Sequence, residues 1–379
     1  MPPSPDSPVI LQVLPSLITG GVERGAVEIA QAIAEAEATS LVASAGGPLV
    51  RPIERAGGKH LTLPLTTKNP FGIWRNAAAL EALIREQHVS LVHARSRAPA
   101  WSAWLACQRT GVPFVTTYHG AYGEDFPYKR RYNEVMARGR IVIAASRYVA
   151  DLVMDRHGVP AERIRVIPRG VDPAMFDPAI VNGSRIAKLA EAWRLPDGMR
   201  TVVLPGRLTA WKGHAVLLEA MAMLGRYDLV AVLVGAHQGR HRYARHLAQL
   251  ATRLGIGNRV RFVGECDDMP AAFCLADVVV HASTQPEAFG RVVIEAQAMG
   301  RPVIASDLGG PVETVRHGET GWRVQPGDPD ALAAAIGVAL DLDPDERLAL
   351  GERARASVPT VRAMQDATLD VYETVLRAG

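Results

Sequence analysis

The chain has 379 residues, of which 48% are hydrophobic, 21% charged and 6% aromatic, so it is long enough for two domains with cores of their own and too long for one small module. That balance excludes a disordered or fibrous chain, and no run approaches the roughly 20 apolar residues that cross a bilayer, since the stretch 331–340 stops at Asp341. The net charge of +3 is unevenly spread: residues 1–180 hold 20 Lys and Arg against 16 Asp and Glu, the remainder 22 against 23, and between His88 and Arg169 the count is 13 basic to 6 acidic.

Residues 1–8, with four prolines and no basic cluster ahead of an apolar stretch, predict a loose tail rather than a signal peptide, and hence a cytoplasmic chain. Short apolar, β-branched runs then recur, bounded by Gly and Pro and separated by stretches of helical spacing. Strands are predicted in the first half at 9–14, 39–44, 60–63, 89–93, 113–117, 141–145 and 164–167. In the second half they are predicted at 201–204, 229–234, 260–263, 278–281 and 303–305. This alternation implies an α/β fold with two doubly wound parallel sheets covered by helices. The turn-rich stretch Pro168-Arg169-Gly170-Val171-Asp172-Pro173 places the domain boundary shortly after it, giving domains at 1–180 and 181–360. The last segment, 361–379, has apolar residues at helical spacing and is expected to return to the first domain.

Cys107, Cys266 and Cys274 are an odd number without Cys-x-x-Cys spacing, which reads as buried thiols rather than a disulfide framework or zinc site. Asp328-Pro329-Asp330 and Asp341-Leu342-Asp343 spell Asp-x-Asp but sit in turns beside helices, where capping accounts for them. No metal site is expected.

Open parallel sheets bind ligands beyond the carboxyl ends of their strands, so the loops there carry the chemistry. After the first strand comes Thr19-Gly20-Gly21-Val22-Glu23, a glycine pair at a helix start that suits either a tight turn or an anion held by backbone N–H groups. The dinucleotide fingerprint Gly-x-Gly-x-x-Gly does not fit it. In the second half, Gly206-Arg207-Leu208-Thr209-Ala210-Trp211-Lys212-Gly213 sets two cations at a helix N-terminus, where the dipole disfavours them unless an anion such as a diphosphate compensates. After the strand 278–281, Pro286-Glu287-Ala288-Phe289-Gly290-Arg291 runs into a helix predicted over 290–299. Glu287 then lies at the helix mouth and Glu295 in its second turn. His237, His241 and His246 follow another strand end, either as a solvated helix start or as a loop near the ligand.

These motifs, together with Tyr118-His119-Gly120, Ile167-Pro168-Arg169-Gly170-Val171-Asp172, Gly300-Arg301-Pro302, Gly309-Gly310 and Gly318-Glu319-Thr320-Gly321, resemble retaining glycosyltransferases of family 4. The resemblance implies a GT-B fold, two Rossmann-like domains facing across a cleft, and a UDP- or GDP-sugar donor with no resident cofactor. It implies that Arg207 and Lys212 hold the diphosphate, helped by N–H groups at Phe289, Gly290 and Arg291. Glu295 would bind the ribose, Val263 would border the base and Glu287 would face the transferred sugar. Gly20 and Gly21 would complete the phosphate site, and His119 would lie near the sugar's C6. Where such enzymes commonly have Pro-Asn-Gly, this chain has Arg169. Arg95, Arg97 and Tyr118 are the expected acceptor-side residues. The expected acceptor is a glycan or lipid-linked molecule of polysaccharide or lipopolysaccharide assembly; the basic first half suits an anionic acceptor or peripheral contact with an anionic membrane, and no nucleic-acid motif accompanies it. The rival readings are a nucleotide-sugar epimerase and a catalytically silent sugar-nucleotide binding module.

Overall fold

The computed structural model describes residues 7–18, 20–123 and 126–378; the first six residues of the expected tail and Thr19 of the glycine motif lie outside them. The chain divides into two compact units, one formed by 1–169 with 361–379, the other by 170–360. The division falls at Arg169/Gly170, within the turn-rich stretch and ahead of the expected 180/181. The terminal helix Val361–Arg377 belongs to the first unit.

In the first unit β1 (Val9–Val13), β2 (Thr39–Ser44), β3 (Lys59–Thr62), β4 (Leu91–Ala94), β5 (Phe114–Tyr118), β6 (Val142–Ala144) and β7 (Ile164–Val166) form one sheet in the order β3-β2-β1-β4-β5-β6-β7. Every neighbouring pair is parallel. The reversal of order between β1 and β4 makes a switch point, where loops diverge to opposite faces and leave a crevice. The terminal helix closes this core: Met364, Val371, Tyr372 and Val375 pack against Ile10, Ile29, Ile33 and Leu91.

The second unit repeats the plan with β8 (Arg200–Pro205), β9 (Leu229–Val234), β10 (Val260–Gly264), β11 (Val278–His281), β12 (Val303–Ser306) and β13 (Trp322–Val324), ordered β10-β9-β8-β11-β12-β13 and parallel throughout. Its switch point lies between β8 and β11. Leu229–Val234 is buried along its whole length, as a strand covered on both faces must be. The sixth strand, β13, was not expected: three residues after a glycine turn carry too little pattern, and only pairing of Ile304, Ala305 and Ser306 with Trp322, Arg323 and Val324 defines it.

Of the cysteines, Cys107 is buried, with its thiol pushed up to about 12 by burial, whereas Cys266 and Cys274 are part-exposed, and all three are free. Asp328 and Asp343 accept from the backbone N–H of Ala331 and Glu346 as helix caps. Asp341 instead pairs with Arg226 at 2.8 Å. No described helix is long and apolar enough to cross a membrane.

Candidate active site

The second unit's site begins with backbone. β8 ends at Pro205, and the chain turns through Gly206 and Arg207 into the short helical turn Ala210–Lys212 before helix His214–Met223. Gly213 has φ +73, and a Cβ there would overlap the carbonyl of Ala282, so only glycine lets this loop lie against the one leaving β11. Thr284 N–H donates to Trp211 O at 2.7 Å and joins the two loops again. On the far side Glu287 pairs as an isolated parallel bridge with Gly309, and Gly310 N–H donates to Glu287 O at 2.9 Å. A Cβ on Gly309 would lie 2.6 Å from Glu287 O, at φ +69. The Gly309-Gly310 pair therefore fixes the backbone of Glu287.

Three donors converge on one oxygen of that residue. Lys212 Nζ lies 2.5 Å from Glu287 Oε1, His281 Nε2 2.6 Å and Ser283 Oγ 2.5 Å. Burial pushes the Glu287 carboxyl up, but the hydrogen bond and charge of His281, with the charge and hydrogen bond of Lys212, outweigh it and hold the group well below the usual carboxylate range. Glu287 is thus a fixed anion at the switch point. His281 and Ser283 were missing from the expected site: His281 reads only as the last residue of an apolar strand, and its alternation with β-branched neighbours gives no hint that the ring reaches a loop beyond. The relevant signal is a His at a strand's carboxyl end six residues before a Glu.

Lys212 Nζ also lies 4.7 Å from the Trp211 ring centre, and its aliphatic stem packs against the bare Cα of Gly206, where a Cβ would stand 3.4 Å from Lys212 Cδ. Packing on both sides directs the ammonium to one place. Arg207 is exposed on the same loop. His214, the first residue of the following helix, is buried, and burial drives its ring down to about 4 against the weaker pull of the Gly206 and Thr209 carbonyls. Helix Arg291–Ala298 starts from Gly290 at φ 79, one residue inside the expected bounds at each end. Arg291 Nε and Glu295 Oε1 stand 3.5 Å apart, and Phe289 is buried beside them. Val263 lies in β10, half-buried. Lys212 and Glu287 are therefore brought into contact, while Arg291 and Glu295 form a second pair one turn along the helix.

In the first unit helix Gly21–Glu35 starts at Gly20, whose φ of 146 suits glycine, with the Glu23 carboxylate lying against it. Burial pushes Glu23 up against the opposing effects of its own backbone N–H and of Arg95. Beneath the helix's first turns lie two guanidinium groups: a Cβ on Gly25 would stand 2.7 Å from Arg95 Nη2 and 3.1 Å from Arg169 Nη1. Arg95, 1% exposed, donates to Gln12 Oε1 at 3.0 Å. Arg169 Nη2 donates to His119 Nδ1. A guanidinium can only donate, so Nδ1 accepts and the neutral ring carries its proton on Nε2. Burial, then Arg169, Arg95 and His93, hold His119 well below the usual histidine range. Its Nε2, buried, has no hydrogen-bond partner among the described residues.

Of the three expected acceptor-side residues, two are buried. Arg95 and Tyr118, 1% and 0% exposed, support the site from beneath and have no surface to offer an acceptor. Arg97 is held by Asn133 Oδ1 at 2.8 Å and stacks 4.1 Å from the Tyr122 ring centre, so it braces the loop after β5. His93, unremarked in the sequence, sits between Tyr372 OH at 2.6 Å and Thr117 Oγ1 at 2.7 Å.

Two Rossmann-like parallel sheets, each with a glycine loop at its switch point, define a doubly wound α/β protein of two domains. The comparisons narrow it. The family described as Glycosyl transferases group 1 matches residues 186–357, and that described as Glycosyltransferase Family 4 matches 19–175. A glycosyltransferase structure from Rickettsia africae ESF-5 is 34% identical, covering 99% of this chain and 100% of that one, with a TM-score of 0.91. The structure of Anabaena Alr3699/HepE in complex with UDP-glucose is 28% identical over 96% of this chain and 99% of that one, TM-score 0.84. D-inositol 3-phosphate glycosyltransferase from Salinispora tropica is 34% identical over 316 residues, 77% of this chain; the match spans 65% of that relative, just under two thirds of its length. The chain belongs to glycosyltransferase family 4 and has the GT-B fold.

Proposed function

We propose that the chain is a retaining, metal-independent hexosyltransferase that moves a sugar from a UDP-sugar, with GDP-sugar as the alternative donor, to an anionic glycan or lipid-linked acceptor of cell-envelope polysaccharide or lipopolysaccharide assembly. The observation that carries this reading is the convergence of Lys212, His281 and Ser283 on Glu287 Oε1 beyond the carboxyl ends of β8 and β11. The UDP-glucose complex of Alr3699/HepE favours UDP, and the phosphorylated acceptor in the name of the Salinispora tropica relative is consistent with an anionic acceptor. Cytoplasmic location, with the basic first half resting on an anionic membrane, completes the proposal.

The chemistry follows from charge. As the C1–O bond to the diphosphate breaks, negative charge grows on the departing phosphate and positive charge on the anomeric carbon. Arg207, Lys212 and the N–H groups at the start of helix Arg291–Ala298 stabilise the first; the fixed carboxylate of Glu287 stabilises the second. An ammonium has three donors, so Lys212 can keep Glu287 and still serve a phosphate oxygen. The acceptor hydroxyl attacks C1 on the face the diphosphate leaves, its proton passing to the departing phosphate oxygen, and the configuration at C1 is retained. The Nε2–H of His119 is a donor suited to a sugar hydroxyl.

Thermal shift and turnover with UDP-glucose, UDP-galactose, UDP-N-acetylglucosamine and GDP-mannose, in EDTA and with D-inositol 3-phosphate among the acceptors, test this. Stabilisation by one donor in EDTA with transfer to an anionic acceptor is the expected result. Stabilisation only after adding magnesium would overturn metal independence, and conversion of the donor with no acceptor present would make the chain an epimerase.

A further inference from the structure

A cavity of about 740 Å³ in the second unit does not include Glu287 in its lining. It lies between the turn Ala210–Lys212 and helix His241–Arg253, and Trp211, Tyr243, His246, Arg240 and Arg242 line it. Its character is aromatic and cationic. Tyr243 and His246 stack with ring centres 6.2 Å apart and planes 23° from parallel, and the Trp211 indole adds a third flat surface. Arg240 and Arg242 are exposed at the start of a helix that has no acidic residue in its first turn. Among the described residues no ion pair engages Arg240, Arg242 or His246.

Cations gathered at a helix start repel one another and oppose the dipole; a fold carries that cost with least penalty where an anion comes and goes. Flat aromatic surfaces suit the apolar C–H face of a pyranose, and a guanidinium matches a carboxylate or phosphate with two parallel hydrogen bonds. Trp211 also joins this cavity to the reaction site, since its ring carries Lys212 Nζ at 4.7 Å and Lys212 meets Glu287 at 2.5 Å.

We infer that this cavity is a subsite for an anionic sugar of the acceptor, a pyranose bearing a carboxylate or a phosphate, with Arg240 and Arg242 taking the charge and Trp211 the ring. The assignment of the sugar to the acceptor rests on the transferase reading; the existence of the site does not.

Isothermal titration of the full chain with glucose 6-phosphate, glucuronate, glucose and inorganic phosphate, with UDP present at saturation to fill the donor site, tests it. Glucose 6-phosphate or glucuronate is expected to bind roughly tenfold or more tightly than glucose or inorganic phosphate, the worth of one charge-assisted pair; which of the two binds better tells phosphate from carboxylate. The double variant R240Q/R242Q should lose that affinity and keep its affinity for UDP, which also shows that it is folded. Trp211→Leu should bring glucose 6-phosphate down to the level of inorganic phosphate. Binding unchanged in R240Q/R242Q, binding of glucose as tight as its phosphate, or no binding of either anionic sugar would overturn the inference. Failure of UDP to bind would count against the donor reading instead, and the difference between wild type and R240Q/R242Q would still decide this one.

Discussion

Lys212 Nζ and Glu287 Oε1 stand 2.5 Å apart although 75 residues separate them in the chain, and with their side chains only 11% and 15% exposed they form an ion pair largely withdrawn from water. Neither group can be removed without leaving the other poorly compensated. In Glu287→Gln the shape persists and the charge goes: turnover should fall by roughly 10²- to 10³-fold, with UDP affinity changed only a few-fold. Steady-state kinetics beside UDP titration would show the split, and equal losses in both would move Glu287 from the sugar to the phosphate.

The same carboxylate makes stability depend on acid. Its proton is held more weakly in the fold than in the unfolded chain, where the ordinary value is 4.5. The contribution is therefore complete above about pH 4.5 and lost as pH falls below it. Urea unfolding of wild type and Glu287→Gln should show a difference that is constant from neutral pH to about 4.5 and shrinks below it.

His214 acts in a higher window. It is 0% exposed, the Gly206 and Thr209 carbonyls only weakly oppose the effect of burial, and its value falls from 6.5 to about 4. The unfolded chain thus takes up the proton first, and stability declines as pH falls from about 6.5 toward 4. His214→Leu, which keeps an apolar side chain there, should flatten that decline, and melting temperatures at pH 7 and pH 5 would measure it.

Arg169 sets the proton position on His119. Replacing it by Gln, which can donate or accept, removes the rule that Nδ1 must accept. Imidazole ¹⁵N spectra should show the Nε2–H form of His119 in the wild type and a mixture in Arg169→Gln, with turnover lowered roughly tenfold, about one charge-assisted hydrogen bond. An unchanged spectrum would mean that packing alone holds the ring.

Gly309→Ala places a Cβ 2.6 Å from Glu287 O at a positive φ. The strain should cost about 1 to 3 kcal/mol and, because Glu287 is displaced with it, lower turnover more than Gly318→Ala, where φ is also positive but nothing lies within 4 Å. In the first unit, Tyr372→Phe strips His93 Nδ1 of its 2.6 Å partner and should cost about 1 to 3 kcal/mol in urea unfolding. Deleting 361–379 removes Met364, Val371, Tyr372 and Val375 from the core and should leave that unit unfolded by circular dichroism.

Local chemistry was enough to read much of this protein. Buried parallel strands are continuous apolar runs, so Leu229–Val234 and Val278–His281 stand out, and the glycine pair at a helix start marks Gly20-Gly21 as a place for a tight turn or an anion. Lys212 and Glu287 could be picked out because each lies in a loop leaving a strand's carboxyl end. What the tertiary structure alone decided was partnership. β13 exists only through β12; Arg95 and Tyr118, polar in sequence, are sealed inside; Arg169 reaches His119, and His281 and Ser283 reach Glu287, across turns that no spacing encodes. The return of the terminal helix to the first unit was expected, but its partners Ile10, Ile29, Ile33 and Leu91 come only from packing. The reason is physical: strand and helix preferences act over a few residues and are written in order along the chain, whereas a hydrogen bond between side chains depends on where the packed backbones deliver them, to within a few tenths of an ångström.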